Sequence, residues 1–186
     1  VRHTTGRTTR EFVDTRLAKT VADLRTSENA LDAFQRKHAS IQLDEQAKRA
    51  RSPFEWRIGA ALPVLGSPAR LALAPHLRAT RLVADRIEVA LAQEATVTAL
   101  RENVLRFLRL HARDVFSERV SEMAARAGRP PPVTRLSNAR TQWGSCQPDG
   151  RIFLSWRLVH LDLHLVDYVV AHEVAHIDEM NNSPRF

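Results

Sequence analysis

The stretch His172-Glu173-Val174-Ala175-His176 decides how this chain is read. Residues four apart on an α-helix lie about 40° apart around its axis. Two imidazoles at that spacing reach a single metal ion from one face. Glu173 is offset by one residue, as suits a carboxylate that meets a metal-activated water rather than the metal itself. The flanking residues Val169, Val170, Ala171, Val174, Ala175 and Ile177 are apolar or small, which predicts a buried helix rather than a solvated one. Buried His and Glu need polar partners, and a metal ion supplies one. The pattern points to a zinc-dependent hydrolase, with His172 and His176 as ligands and Glu173 as general base.

Working outward, Asp162 is placed to cap this helix, which the pattern predicts over Leu163 to Met180. Before it, Arg151-Ile152-Phe153-Leu154-Ser155-Trp156 has the aromatic and β-branched character of a strand. Pro148-Asp149-Gly150 is a turn signal. It joins that strand to one containing Thr141-Gln142-Trp143-Gly144-Ser145-Cys146, and Val133 to Leu136 begins the strand region. Thr96 to Ala127 is expected to be one long helix with an apolar stripe of Leu100, Val104, Phe107, Leu108, His111, Val115 and Met123. Gly128 ends it, and Pro130-Pro131-Pro132 follows. His111 on that stripe is read as a packing residue, not a ligand.

Residues 54–92 are expected to form a small antiparallel sheet. Phe54 to Ile58 alternates apolar and polar, which predicts a strand. Leu62, Val64 and Leu65 before Gly66, with Leu71 and Leu73 after it, fit a hairpin. Leu82, Ile87, Val89 and Leu91 alternate again around a turn at Asp85-Arg86. Residues from about 10 to 46 read as helical, with Leu17, Val21 and Leu24 on one face, Leu31, Phe34 and His38 on another, and Ser27 as an N-cap between them. Residues 1–50 are thus read as a helical segment ahead of a domain spanning 51–186.

Composition bounds the rest. The chain has 186 residues, 44% of them hydrophobic, enough for one real core. No run of about 18 apolar residues predicts a membrane span. The N-terminus lacks an apolar signal segment, and the chain opens at Val1 rather than Met, so it is read as a fragment. The single Cys146 excludes an internal disulfide and fits a reducing, cytoplasmic setting. The net charge of +7 raises nucleic acid as a partner, but the basic residues are spread along the chain and interleaved with acids.

In order along the C-terminal third stand Thr141-Gln142-Trp143-Gly144-Ser145-Cys146, Gly150-Arg151-Ile152, Ser155-Trp156-Arg157-Leu158, Tyr168 through His176, and Met180-Asn181-Asn182-Ser183-Pro184-Arg185-Phe186. This succession resembles the YgjP-like metallopeptidase family, which is related to the SprT-like zinc proteases. The resemblance implies an α+β, zincin-like domain with a twisted antiparallel sheet, a long packing helix and the HExxH helix. It implies zinc as cofactor and a peptide or protein as substrate. His172 and His176 take the first two ligand positions and Glu173 that of the base. The family's third histidine follows an Asn and precedes a Ser, and Asn182 stands there in this chain.

An Asn offers zinc only a neutral amide oxygen, a poorer ligand than imidazole. Asp178 and Glu179 are rotated away from His176, and His160 and His164 are read as surface or packing residues, His160 alone within reach from a loop. Because the family continues past Phe186, the C-terminus is read as truncated. Peptidase, silent peptide-binding relative and DNA-associated protease all stay open at this stage. For substrate, the edge carrying Trp143, Gly144 and Ser145 is the candidate. There an extended peptide could add by backbone hydrogen bonds, with Gly144 allowing close approach. Trp143 is equally well read as a core anchor, and Cys146 is not read as a nucleophile.

Overall fold

In the computed structural model, residues 33, 37–46, 48, 54–140 and 142–177 are described. The chain divides into Val1–Gln42 and Leu43–Phe186. Of the first unit, the described residues 33 and 37–42 are helical, and residues 43–46 and 48 of the second are helical too. The rest of the expected N-terminal helices lies outside the described residues.

Among its described residues the second unit is α+β, with two small sheets, a long helix and the helix that carries the motif. Strands β1 (Ala61–Val64), β2 (Ser67–Leu73), β3 (Arg81–Val83) and β4 (Arg86–Val89) form the first sheet in the order β1-β2-β4-β3. The expected hairpin is present. Its two-residue loop, Leu65-Gly66, has φ of 49° and 87°, the double left-handed turn whose twist matches the paired strands. The expectation of a wholly antiparallel sheet is corrected: β2 and β4 run parallel, with Leu71 beside Ile87 and Leu73 beside Val89. Alternation tells which side chains face the core, and Ile87 and Val89 are indeed fully buried. It does not tell which strand lies alongside. The second turn falls at Ala84-Asp85, one residue earlier than expected, since Val83 pairs with Arg86.

A second correction concerns Phe54 to Ile58, which form no strand. Their alternation reflects a local contact: the Phe54 and Trp56 rings meet edge to face, centroids 4.8 Å apart.

The long helix runs Val97–Arg126, and Thr96 caps it by accepting a hydrogen bond from the Ala99 N–H at 3.2 Å. Its buried line is Leu100, Val104, Leu108, Ala112, Phe116, Val120 and Ala124. A strict spacing of four drifts about 40° around the helix per step. The line therefore winds around the helix as it runs along it. Phe107, His111, Val115 and Met123, assigned by sequence to the stripe, sit half-buried at its margin.

Strands β5 (Thr134–Ser137), β6 (Gly144–Cys146) and β7 (Ile152–Ser155) make the second sheet in the order β5-β7-β6. It too is mixed, because β5 and β7 are parallel and β6 and β7 antiparallel. A 3-10 helix, Trp156–His160, then leads to the motif helix, Leu163–Ala175. The Trp156 ring lies between the guanidinium groups of Arg109 and Arg157, at 5.2 and 4.9 Å, and its Nε1 donates to Asn138 Oδ1 at 3.1 Å.

Candidate active site

The motif helix buries Leu165, Val166, Val169, Val170, Glu173 and Val174. Glu173 thus occupies a core position where an aliphatic side chain would ordinarily stand, with only 6% of its surface exposed. Arg119 of the long helix grips Asp167 through both Nε and a terminal nitrogen, which fixes the helix against its neighbour. At the other end of the helix, Asp162 does not cap it with its side chain as expected. Its Oδ2 instead accepts from Gln46 Nε2 at 2.6 Å, and its N–H donates to Gln46 Oε1 at 3.1 Å.

Along one edge of the buried stripe run Tyr168, His172 and His176. The rings of Tyr168 and His172 stack with centroids 6.5 Å apart, and those of His172 and His176 stand at 85° with centroids 4.7 Å apart. His176 retains helical backbone angles, φ −65° and ψ −15°, although the regular helix ends at Ala175. The result is that the two Nε2 atoms converge to 3.3 Å.

Zinc binds imidazole nitrogen at about 2.0–2.1 Å with tetrahedral geometry, so two such ligands stand about 3.3–3.4 Å apart. The His172 and His176 pair fits that edge of the tetrahedron. Among the described residues no third His, Cys, Asp or Glu joins them in a metal-sized group. Asn182, Asp178 and Glu179 lie outside the described residues. His160 is engaged elsewhere: its Nδ1 lies 2.9 Å from the Pro63 carbonyl oxygen, and its ring meets Trp156 edge-on. His164 is exposed on the first turn of the helix.

The β6 strand is the edge of its sheet and lies against the motif helix. The Ser155 N–H donates to the Trp143 carbonyl and the Gln147 N–H to the Arg151 carbonyl, both at 2.8 Å. By the alternation of an antiparallel ladder, the backbone groups of Gly144 and Cys146 then face away from β7. Glu173 uses this edge. Burial raises its carboxyl pKa above the ordinary 4.5, opposed by the charge of His176 and by a hydrogen bond from the Cys146 backbone N–H.

The structure brings Gly144 and Glu173 into direct contact. A Cβ built on Gly144 would lie 2.5 Å from Glu173 Oε1 and 2.6 Å from its Cγ. The space at Gly144, where a peptide backbone was expected to approach, holds the Glu173 carboxylate. Sequence reasoning missed this relation, since nothing local to Gly144 indicates a residue 29 positions later. Trp143 and Ser145 flank it, both half-buried. The Cys146 thiol has its pKa raised by burial and then by the nearby charges of Glu173 and Asp149, which keeps it a thiol rather than a nucleophilic thiolate.

The His172 and His176 pair and the buried Glu173 carboxylate thus stand together on the motif helix, with the β6 edge strand against it. The chain belongs to the YgjP-like metallopeptidase family, whose domain model matches residues 11–186. No curated protein and no solved structure matches it.

Proposed function

We propose that this domain hydrolyses peptide bonds with a zinc ion held by His172 and His176, with Glu173 as general base. The convergence of the two Nε2 atoms to 3.3 Å is the observation that carries the reading. When bound, zinc supplies Lewis acidity toward the scissile carbonyl and a hydrolytic water that ionises near neutral pH. Glu173 accepts the proton of the attacking water at its carboxylate and delivers it to the departing amine. Burial works in the same direction, raising the carboxyl's affinity for a proton above that of an ordinary glutamate.

Asn182 stands at the third ligand position and offers only an amide oxygen. The reading therefore includes weakened zinc affinity and reduced activity in this chain, and the test is zinc stoichiometry by elemental analysis. The chain and its Asn182→His variant are dialysed identically against a dilute zinc buffer. The variant is expected to hold about one zinc per chain and the parent clearly less. Equal full occupancy would show that another group completes the site. Failure of the variant to hold zinc would remove the metal reading of His172 and His176.

Peptidase turnover in the zinc-loaded variant tests the base. Glu173→Gln should lower kcat by about 100-fold or more while zinc content is kept. Undiminished turnover would exclude Glu173 from the reaction.

A further inference from the structure

We infer that Gly144 is a positioning residue for Glu173: its missing side chain, with the Cys146 N–H beside it, forms a seat on the β6 edge that holds the carboxylate next to the histidine pair. This rests on the role proposed for Glu173 above.

The geometry isolates one cause. The three atoms nearest a Cβ at Gly144 are Oε1, Cγ and Cδ of Glu173, at 2.5, 2.6 and 2.8 Å. No backbone atom and no other side chain is as close. Gly144 lies in a regular strand paired with Leu154, and its φ is not in the left-handed region, so its conformation suits any residue. Space alone requires glycine here. Elsewhere in a strand, glycine is the poorer choice, because it costs conformational entropy and packs nothing. Glu173 is almost fully buried, so its carboxylate cannot swing out into solvent without leaving the core.

Two contacts then fix the carboxylate. The strand's Cα lies under its methylene and carboxyl groups, and the outward-facing Cys146 N–H hydrogen-bonds to it. A methyl group at 144 would push the carboxylate off this seat, since the three atoms it meets first all belong to Glu173. Displacement of a catalytic group by about 1 Å is enough to cost about 100-fold in rate.

The test is a double-mutant cycle read by chemical denaturation, which needs neither zinc nor activity. Gly144→Ala is expected to lower the unfolding stability constant by about tenfold or more in the parent. In the Glu173→Ala background the same substitution should be neutral or raise it about two- to fivefold, since the obstruction is gone and the strand gains a side chain. Should Gly144→Ala alone fail to fold, recovery of folding in the double variant serves the same purpose. Equal losses in both backgrounds, or no recovery, would overturn the seat.

A second readout separates positioning from mere packing. In the zinc-loaded Asn182→His protein, Gly144→Ala should keep zinc content and KM within about threefold and lower kcat by about 100-fold. Unchanged kcat would overturn the positioning role. Coupling in the denaturation cycle without turnover in any variant would instead overturn the proposed peptidase function and leave the seat in place.

Discussion

Each of the two sheets meets the motif helix through a glycine set against an acidic residue, and the two contacts serve different ends. In the first sheet, Gly66 at the β1–β2 turn packs on Asp162, where a Cβ would lie 2.8 Å from Oδ1 and 3.3 Å from the Asp162 Cα. In the second, Gly144 packs on Glu173. Gly66 has φ of 87° and is hemmed partly by backbone, whereas Gly144 has ordinary strand geometry and is hemmed only by a side chain. The first contact is about where the helix begins. The Leu65 N–H donates to the Val159 carbonyl at 2.8 Å, and His160 holds the Pro63 carbonyl, so the hairpin is tied to the chain entering the helix. The second contact is about where one carboxylate points. Similar local chemistry thus anchors the chain at one end of a helix and holds the Glu173 carboxylate at the other.

The comparison is broken or kept most sharply by Gly66→Ala. An alanine there carries the cost of a left-handed backbone and presses on the Asp162 Cα, together about 1–3 kcal/mol of stability. Because the loss falls on the hairpin contact and not on Glu173, kcat per folded molecule and zinc content should hold. Denaturation curves measured beside turnover check both halves. A large fall in kcat with the fold intact would show that the two contacts are not separate.

What sequence could and could not show follows the same division between local and distant relations. The histidine pair was legible because its partners are four residues apart and the helix does the rest. The long helix was legible because Thr96 and Gly128 mark its ends within the chain itself. Its buried face was only partly legible: Leu100, Val104 and Leu108 were found, but Ala112, Phe116, Val120 and Ala124 were passed over for Phe107, His111, Val115 and Met123. The buried residues recur strictly every four positions, so the line of contact winds around the helix, which periodicity counted on one straight face does not follow. The parallel pairing of β2 with β4 and the contact of Gly144 with Glu173 are relations between distant segments, and no local pattern encodes them. Asn182 was legible as a departure from the family pattern and lies outside the described residues.

A smaller effect sharpens the account of the first contact. His160 sits half-buried between Trp156 and the hairpin, and its Nδ1 donates to the Pro63 carbonyl. Burial lowers its pKa below the ordinary 6.5; the Pro63 hydrogen bond works against that shift, and the charge of Arg157 adds to it. As pH falls, the unfolded chain therefore takes up the proton before the folded one does. Stability should be lost from about pH 6.5 downward and level off once the folded form is protonated as well. His160→Asn can keep a donor toward Pro63 and cannot titrate. Near pH 7.5 the substitution should change stability by no more than about 1 kcal/mol. Between pH 6.5 and 5 the parent should lose stability faster than the variant, as denaturation midpoints at a series of pH values would record. Parallel pH profiles would remove His160 as the titrating group and confine the hairpin contact to packing and backbone hydrogen bonds.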